Sequence, residues 1–174
     1  METKETSGLH GRDEYHTQLV GLPDSNRSSA LFWFGFGLAV IPVLPKTKKT
    51  AVTWDLWLQR LSARQITLHW IAHPGHEVGF IVGNSMIVFD ADSAKAVAAL
   101  IEAECRFGVQ PSMIVQTTRG EHHYFAKSQD LPCNTTSKIV ADPQDRIDIK
   151  TGRTMVILPP STGKFLVKFG GQHA

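Results

Sequence analysis

Met86-Ile87-Val88-Phe89-Asp90-Ala91-Asp92 carries the strongest chemical signal in this chain. An apolar run ends in carboxylates at i and i+2, and residues two apart on a strand point to the same face. Asp90 and Asp92 are therefore expected side by side at a strand end. Two carboxylates that close repel unless a cation lies between them. Their hard oxygens suit Mg²⁺ or Mn²⁺. Such a pair serves metal-assisted phosphoryl or nucleotidyl transfer.

Two further stretches add polar groups of the right kind. In Thr117-Thr118-Arg119-Gly120-Glu121-His122-His123-Tyr124-Phe125, Gly120 lets the backbone turn sharply or approach a ligand closely. His122 then opens a strand, with Tyr124 on its face and His123 on the other. Arg119 and a histidine beside a carboxylate pair suit phosphate oxygens. In Arg146-Ile147-Asp148-Ile149-Lys150-Thr151-Gly152, Asp148 alternates with two isoleucines and faces away from the core they join. Lys150 shares its face and can neutralise a phosphate. Leu158 to Lys164 reads as a rigid turn offering Ser161 and Lys164 as polar contacts.

Other residues have plainer readings. Lys46, Lys48 and Lys49 form a basic turn, and with Arg60 and Arg64 they could hold nucleic-acid phosphates on charge alone. The simpler reading of the lysines is a solvated turn. His69 and His73 are one helical turn apart and His76 is near, which allows a zinc cluster. A solvated helix face is the simpler account. Trp33, Trp54, Trp57 and Trp70 read as packing residues rather than base-stacking platforms.

These groups need an α+β scaffold to position them. Residues 1 to about 26 are polar without apolar period and are expected to be a disordered leader. The catalytic domain is expected over 27–174. Ser28 or Ser29 caps a first helix to about Gly37. A strand follows at Ala39 to Val43. Ser62 opens a helix through Ile71, and Pro74-Gly75 stops it. Val78 to Val82 and Met86 to Phe89 read as two strands joined by a Gly83-Asn84-Ser85 hairpin. Ser93 and Gly108 bracket another helix. Strands are expected at Met113 to Thr117, His122 to Ala126, Arg146 to Lys150, Met155 to Leu158 and Phe165 to Phe169.

Composition sets outer bounds. With 174 residues, 42% hydrophobic and 20% charged, the chain supports one folded domain. A net charge of +2 permits nucleic-acid binding only through local clustering. Cys105 and Cys133 make no CxxC pair, so neither a zinc module nor a disulfide framework is indicated. A reducing, cytoplasmic setting fits. The apolar run Ala30 to Leu44 is too short for a membrane span, and Gly35, Gly37 and Pro42 break it.

Several motifs in fixed order carry a family resemblance. These are Gly79-Phe80-Ile81-Val82-Gly83, Phe89-Asp90-Ala91-Asp92, Thr118-Arg119-Gly120-Glu121-His122, Asp148-Ile149-Lys150 and Pro159-Pro160-Ser161. Together with Val40-Ile41-Pro42-Val43 and its following lysines, they resemble the bifunctional DNA primase/polymerase N-terminal domain of the archaeo-eukaryotic primase superfamily. The resemblance covers roughly residues 30 to 168. It implies an RRM-like antiparallel catalytic palm with a flanking α/β module. It implies Asp90, Asp92 and Asp148 as ligands of two Mg²⁺ or Mn²⁺ ions, and His122 as a catalytic contact to the nucleotide's phosphates. Arg119, Lys150 and Ser161 would be further nucleotide contacts. The implied partners are a DNA primer and template and a dNTP or NTP; many relatives carry a helicase domain, and a replicative helicase supplied in trans or a longer natural chain would explain why none is visible here. The implied setting is replication of a plasmid, phage or integrated element. Two departures stand out: Glu121 replaces a frequent second glycine, and Lys150 a frequent arginine. From the residues alone, a metal-dependent nuclease or phosphohydrolase and a non-catalytic nucleic-acid-binding module stay open.

Overall fold

Strand β2 (Glu77–Ala91) is the axis of the structure, a computed structural model that describes residues 22–128, 138–139 and 145–170. One edge of β2 pairs along its length with β6 (Ile147–Ile157). Its other edge is shared by β1 (Ala39–Val43) at the Glu77 end and β4 (Glu121–Ala126) at the Asp90 end. With β3 (Met113–Gln116), β5 (Lys138–Ile139) and β7 (Phe165–Phe169), the sheet runs β5-β6-β2-β4-β3-β7, with β1 beside β2. Every pairing is antiparallel. The fold is α+β, as expected.

The expected hairpin at Gly83 does not form: β2 is one 15-residue strand. Likewise β6 is one strand where two were expected. The two errors share a cause. Gly83 and Gly152 both take positive φ, at 72° and 62°, and they face each other across the β2–β6 ladder. Glycine tolerates that conformation without a Cβ clash. The register shifts there, so both strands bend through a matched bulge rather than reversing.

Helices cover the two faces. On one, α1 (Asn26–Gly35), α2 (Trp54–Leu58) and α3 (Ala63–Ala72) bring Trp33, Trp57, Ile66 and Trp70 onto Val40, Ile41, Val78, Phe80, Val88 and Tyr124. The tryptophans pack as expected, and their indole N–H groups are satisfied. Trp33 donates to Pro159 O at 2.8 Å, Trp57 to Val40 O at 2.7 Å and Trp70 to His76 O at 2.8 Å. On the other face, α4 (Ala94–Phe107) seats Ala96, Val97 and Leu100 on Ala91, with Phe89 and Ile147 against them.

Helix ends follow their caps with one exception. Ser62 and Ser93 cap α3 and α4, and Gly108 ends α4 in the left-handed conformation. The first helix is capped by Ser25, not Ser28 or Ser29, because the Ser25 side chain accepts from Ser28 N–H. The fold therefore includes the last few residues assigned to the leader; 1–21 lie outside the described residues. The short α2 and β5 were not anticipated. Among the described residues, no helix is long and apolar enough to cross a membrane.

Candidate active site

Asp148, Asp90 and His122 form a row across three neighbouring strands. Asp90 stands opposite Asp148 on β6 and opposite His122 on β4. Directly paired residues project to the same face, so the row shares the face of Val88 and Tyr124. Lys150, two residues from Asp148, reaches both acids: its Nζ lies 2.8 Å from Asp148 Oδ2 and 3.7 Å from Asp90 Oδ2.

His122 is buried and its proton positions follow from its partners. Its Nε2 lies 3.2 Å from Asp90 Oδ1, and its Nδ1 lies 3.3 Å from the Tyr124 hydroxyl. Burial pushes the Tyr124 phenol well up, with Asp90 adding to the effect, so the hydroxyl keeps its proton and donates. Burial raises Asp90 too, but the hydrogen bond from His122 and the charges of Lys150 and Lys164 outweigh it and hold the acid at about 2. Asp90 is thus an ionised acceptor, and His122 must donate to it through Nε2–H. Burial, helped by Lys164 and Lys150, also outweighs Asp90 and keeps the imidazole below the ordinary histidine range. The ring is neutral and locked as one tautomer.

Asp92 is arranged differently from its sequence neighbour. It lies just past the end of β2, where its N–H donates to Arg146 O at 3.1 Å. Arg119 Nη2 donates to its Oδ1 at 2.7 Å and Arg146 Nε to its Oδ2 at 2.8 Å. Asp90 and Asp92 both act on Lys164 and Arg146, but the Asp92 oxygens are held by the two arginines. Arg119 and Arg146 are substantially exposed, and pairs of that kind are each worth about 1 kcal/mol or less. The clamp therefore contributes little to stability.

Gly120 sets the position of Arg119. A Cβ there would lie 1.9 Å from the carbonyl oxygen of Ala91 and 3.1 Å from Ser93 N. The β3–β4 turn thus lies directly on the backbone that carries Asp90 and Asp92. Thr117 braces it: Thr117 N–H donates to Gly120 O at 2.8 Å, and Thr117 Oγ1 accepts from Gly120 N–H at 3.1 Å.

Behind the row, His123 faces α4. Its Nδ1 is 2.5 Å from Glu104 Oε1 and its Nε2 is 2.9 Å from Glu121 Oε2. Burial opposes a charge there, but the two glutamates win and raise the histidine above its ordinary range. Stability from these pairs is then full below the usual histidine pKa and is lost as pH rises through the elevated one. Glu104→Gln is expected to cost about 2 kcal/mol in mildly acid solution and less at alkaline pH. Thermal melts across pH check this; a gap that does not narrow would refute it.

Could the row hold a divalent cation? Asp148 Oδ1 is buried and, among the described residues, has no hydrogen-bond partner. An unpartnered buried carboxylate oxygen is costly, and a bound cation would satisfy it. The donors are hard oxygens, which fit Mg²⁺ or Mn²⁺. No three His, Cys, Asp or Glu side chains among the described residues converge as a ready-made cage, and the Asp92 oxygens are held by the arginines.

The remaining expected contacts divide. Lys164 belongs to the site: burial lowers its pKa against the pull of Asp90 and Asp92, and Lys48 and Arg119 lie close enough to lower it further. Lys46, Lys48 and Lys49 are exposed on the turn after β1. Ser161 is not brought to the row. It is buried, its hydroxyl donates to Val78 O at 3.2 Å and it accepts from Val78 N–H at 3.0 Å. Its task is to fasten the Pro159-Pro160 turn to β2. Arg60 and Arg64 line a separate cleft on α2 and α3. Sequence reasoning missed Arg146 as the partner of Asp92. It also missed the proton lock of Tyr124, although a tyrosine two residues beyond His122 on one strand face was the available signal.

No curated protein matches the chain. The family model for the bifunctional DNA primase/polymerase N-terminal domain matches residues 30–168, a span that takes in the carboxylate row, its basic rim and the strands beneath them. By that match the chain belongs to the Prim-Pol family.

Proposed function

We propose that this protein is a DNA-directed nucleotidyltransferase that extends a primer along a template. The carboxylate row with its orphaned Asp148 oxygen, rimmed by basic side chains, is the observation that supports this reading most. In the reaction the primer 3′-hydroxyl oxygen bonds to the α-phosphorus of a nucleoside triphosphate. The α–β bridging bond breaks, pyrophosphate leaves with that electron pair, and the hydroxyl proton is lost. Divalent cations held by Asp90, Asp148 and a released Asp92 would supply Lewis-acid stabilisation of the charge that develops. Arg119, Lys150 and Lys164 contribute fixed positive charge around the triphosphate. His122 offers a neutral N–H donor whose direction Tyr124 and Asp90 fix. The exposed Lys46, Lys48 and Lys49 are placed to take template phosphates. The setting we propose is replication of a plasmid, phage or integrated element in the cytoplasm, with a helicase in trans.

Primer-template extension with Mg²⁺ or Mn²⁺, comparing dNTPs with NTPs, tests this directly. Elongation with release of pyrophosphate is the expected result. Shortening of the primer without added nucleotide would instead indicate a nuclease. Nucleotide binding without incorporation in either metal would point to a non-catalytic relative. Tyr124→Phe is expected to lower incorporation roughly tenfold to a hundredfold by removing the hydrogen bond to His122 Nδ1 that fixes the direction of the ring. Nitrogen chemical shifts of the His122 ring report the tautomer independently; unchanged shifts and rate would refute the lock.

A further inference from the structure

Arg146 stands immediately before β6, on a backbone that is held on both sides. Arg146 O accepts from Asp92 N–H at 3.1 Å, and Ile147 pairs with Ala91. On the other side, Asp145 is tied to the start of α4. Its Oδ1 accepts from Ser93 Oγ–H at 2.8 Å and its Oδ2 from Lys95 Nζ at 2.8 Å. Ordering a long side chain costs rotamer freedom, and a mobile backbone beneath it would add to that cost. Here the backbone is already fixed at the end of the carboxylate row.

The guanidinium is only partly used. Arg146 donates to Asp92 Oδ2 at 2.8 Å through Nε alone. Its two Nη groups have no hydrogen-bond partner among the described residues, and the side chain is 37% exposed. A fork anchored at Nε keeps the Nη pair for a second, bidentate acceptor, and phosphate oxygens match that geometry. The charge around Asp92 favours such an acceptor. Arg119 Nη2 holds the other Asp92 oxygen at 2.7 Å. The turn that carries Lys164 lies against the Arg119 turn, since a Cβ on Gly163 would clash with Thr118 Oγ1, and Lys164 is within reach of Asp92 and Arg119. Three cations thus surround one carboxylate. At the other end of the row a single lysine, Lys150, serves both Asp90 and Asp148. A polyanion is therefore drawn to the Asp92 end.

We propose that Arg146 grips the terminal phosphates of the incoming nucleoside triphosphate, with Asp92 as the anchor that aims it. The inference rests on the nucleotidyl-transfer reading of the site. It makes Arg146 a specificity residue, by which the site tells a triphosphate from a monophosphate. A cation taken up by Asp92 would release Nε as well and leave the whole fork to the same phosphates.

Calorimetric titration of the whole chain with dATP and with dAMP, in Mg²⁺ and without primer, tests this. Wild type is expected to bind dATP more tightly than dAMP. Arg146→Gln is expected to weaken dATP binding roughly tenfold and to leave dAMP unchanged. Arg146→Lys keeps the charge but not the fork, and should recover only part of the loss. Arg153→Gln, which removes an exposed arginine paired with Asp55, should bind as wild type does. If Arg146 merely neutralises Asp92, the sign reverses: its removal frees a carboxylate for Mg²⁺ and tightens dATP binding. Unchanged or tighter dATP binding by Arg146→Gln would overturn the proposal, as would an equal loss of dATP and dAMP. Should Arg146→Gln melt early, Arg146→Lys decides, and a wild-type ratio of dATP to dAMP affinity in it also overturns the proposal. With no primer present, binding is read apart from incorporation. Wild type that selects dATP but fails to extend a primer overturns the polymerase reading and not the phosphate contact. Wild type that does not distinguish dATP from dAMP overturns the contact, whatever the extension assay shows.

Discussion

Asp90→Asn is expected to lower nucleotide incorporation by about a thousandfold while leaving the fold intact. The substitution is nearly isosteric, and its amide oxygen can still accept from His122 Nε2–H, now 3.2 Å from Asp90 Oδ1. Lys150 keeps Asp148 as a partner at 2.8 Å. What disappears is a full negative charge at the centre of the row. Asp90 is held at about 2, so that charge is present throughout the working pH range. An amide oxygen binds a hard divalent cation far more weakly than a carboxylate does. Single-turnover incorporation and Mn²⁺ binding should fall together, with an unchanged thermal melt. A variant within tenfold of wild type in incorporation would sink the assignment of Asp90.

Gly120→Ala is expected to destabilise the protein by about 3 kcal/mol or more and to abolish activity with it. A methyl group 1.9 Å from the Ala91 carbonyl meets backbone, not a flexible side-chain end. Relief requires the β3–β4 turn to lift from β2. That movement would carry Arg119 away from Asp92 and disturb the Asp90–His122 pairing. Ser93 N, 3.1 Å from the same methyl, ties the disturbance to the start of α4. Denaturant melts and the incorporation assay report the two losses. A variant with native stability would mean that the turn has slack that the observed contacts do not suggest.

The two substitutions show what was legible in the chain and what was not. Asp90 stood out because an apolar strand ending in acids has few other purposes, and Gly120 because glycine before a polar strand start signals a sharp turn; that the turn packs on the Ala91 backbone was not readable. The helix caps at Ser62 and Ser93 were readable because capping is local. The bulge at Gly83 was not: glycine-asparagine-serine signals a turn locally, and only pairing with Gly152, far along the chain, converts it into a bend. The same limit hid Arg146 and Tyr124. Arg146 neighbours Asp148 in sequence but serves Asp92. Tyr124 acts only through His122, and its hydroxyl gains that role from burial. Ser161 was misjudged for the opposite reason. A serine after two prolines looks available until a strand backbone is laid against it.

The row also has a gauge built into it. Adjacent strands of a sheet lie about 4.7–4.9 Å apart, whatever side chains they carry. Asp148, Asp90 and His122 stand on β6, β2 and β4 at matching rungs, so their spacing is inherited from backbone pairing rather than from loop conformation. Arg119 and the lysines at 48 and 164 sit instead on connections between strands. The connection that carries Lys48 can be lengthened or shortened without altering the interval between the acids, whereas the Arg119 turn is seated through Gly120 on the Ala91 backbone and the Lys164 connection is fastened to Val78 by Ser161. The tolerance for change in this molecule is thus sharply partitioned, with a fixed lattice at the centre, two pinned connections beside it and an exchangeable stretch after β1.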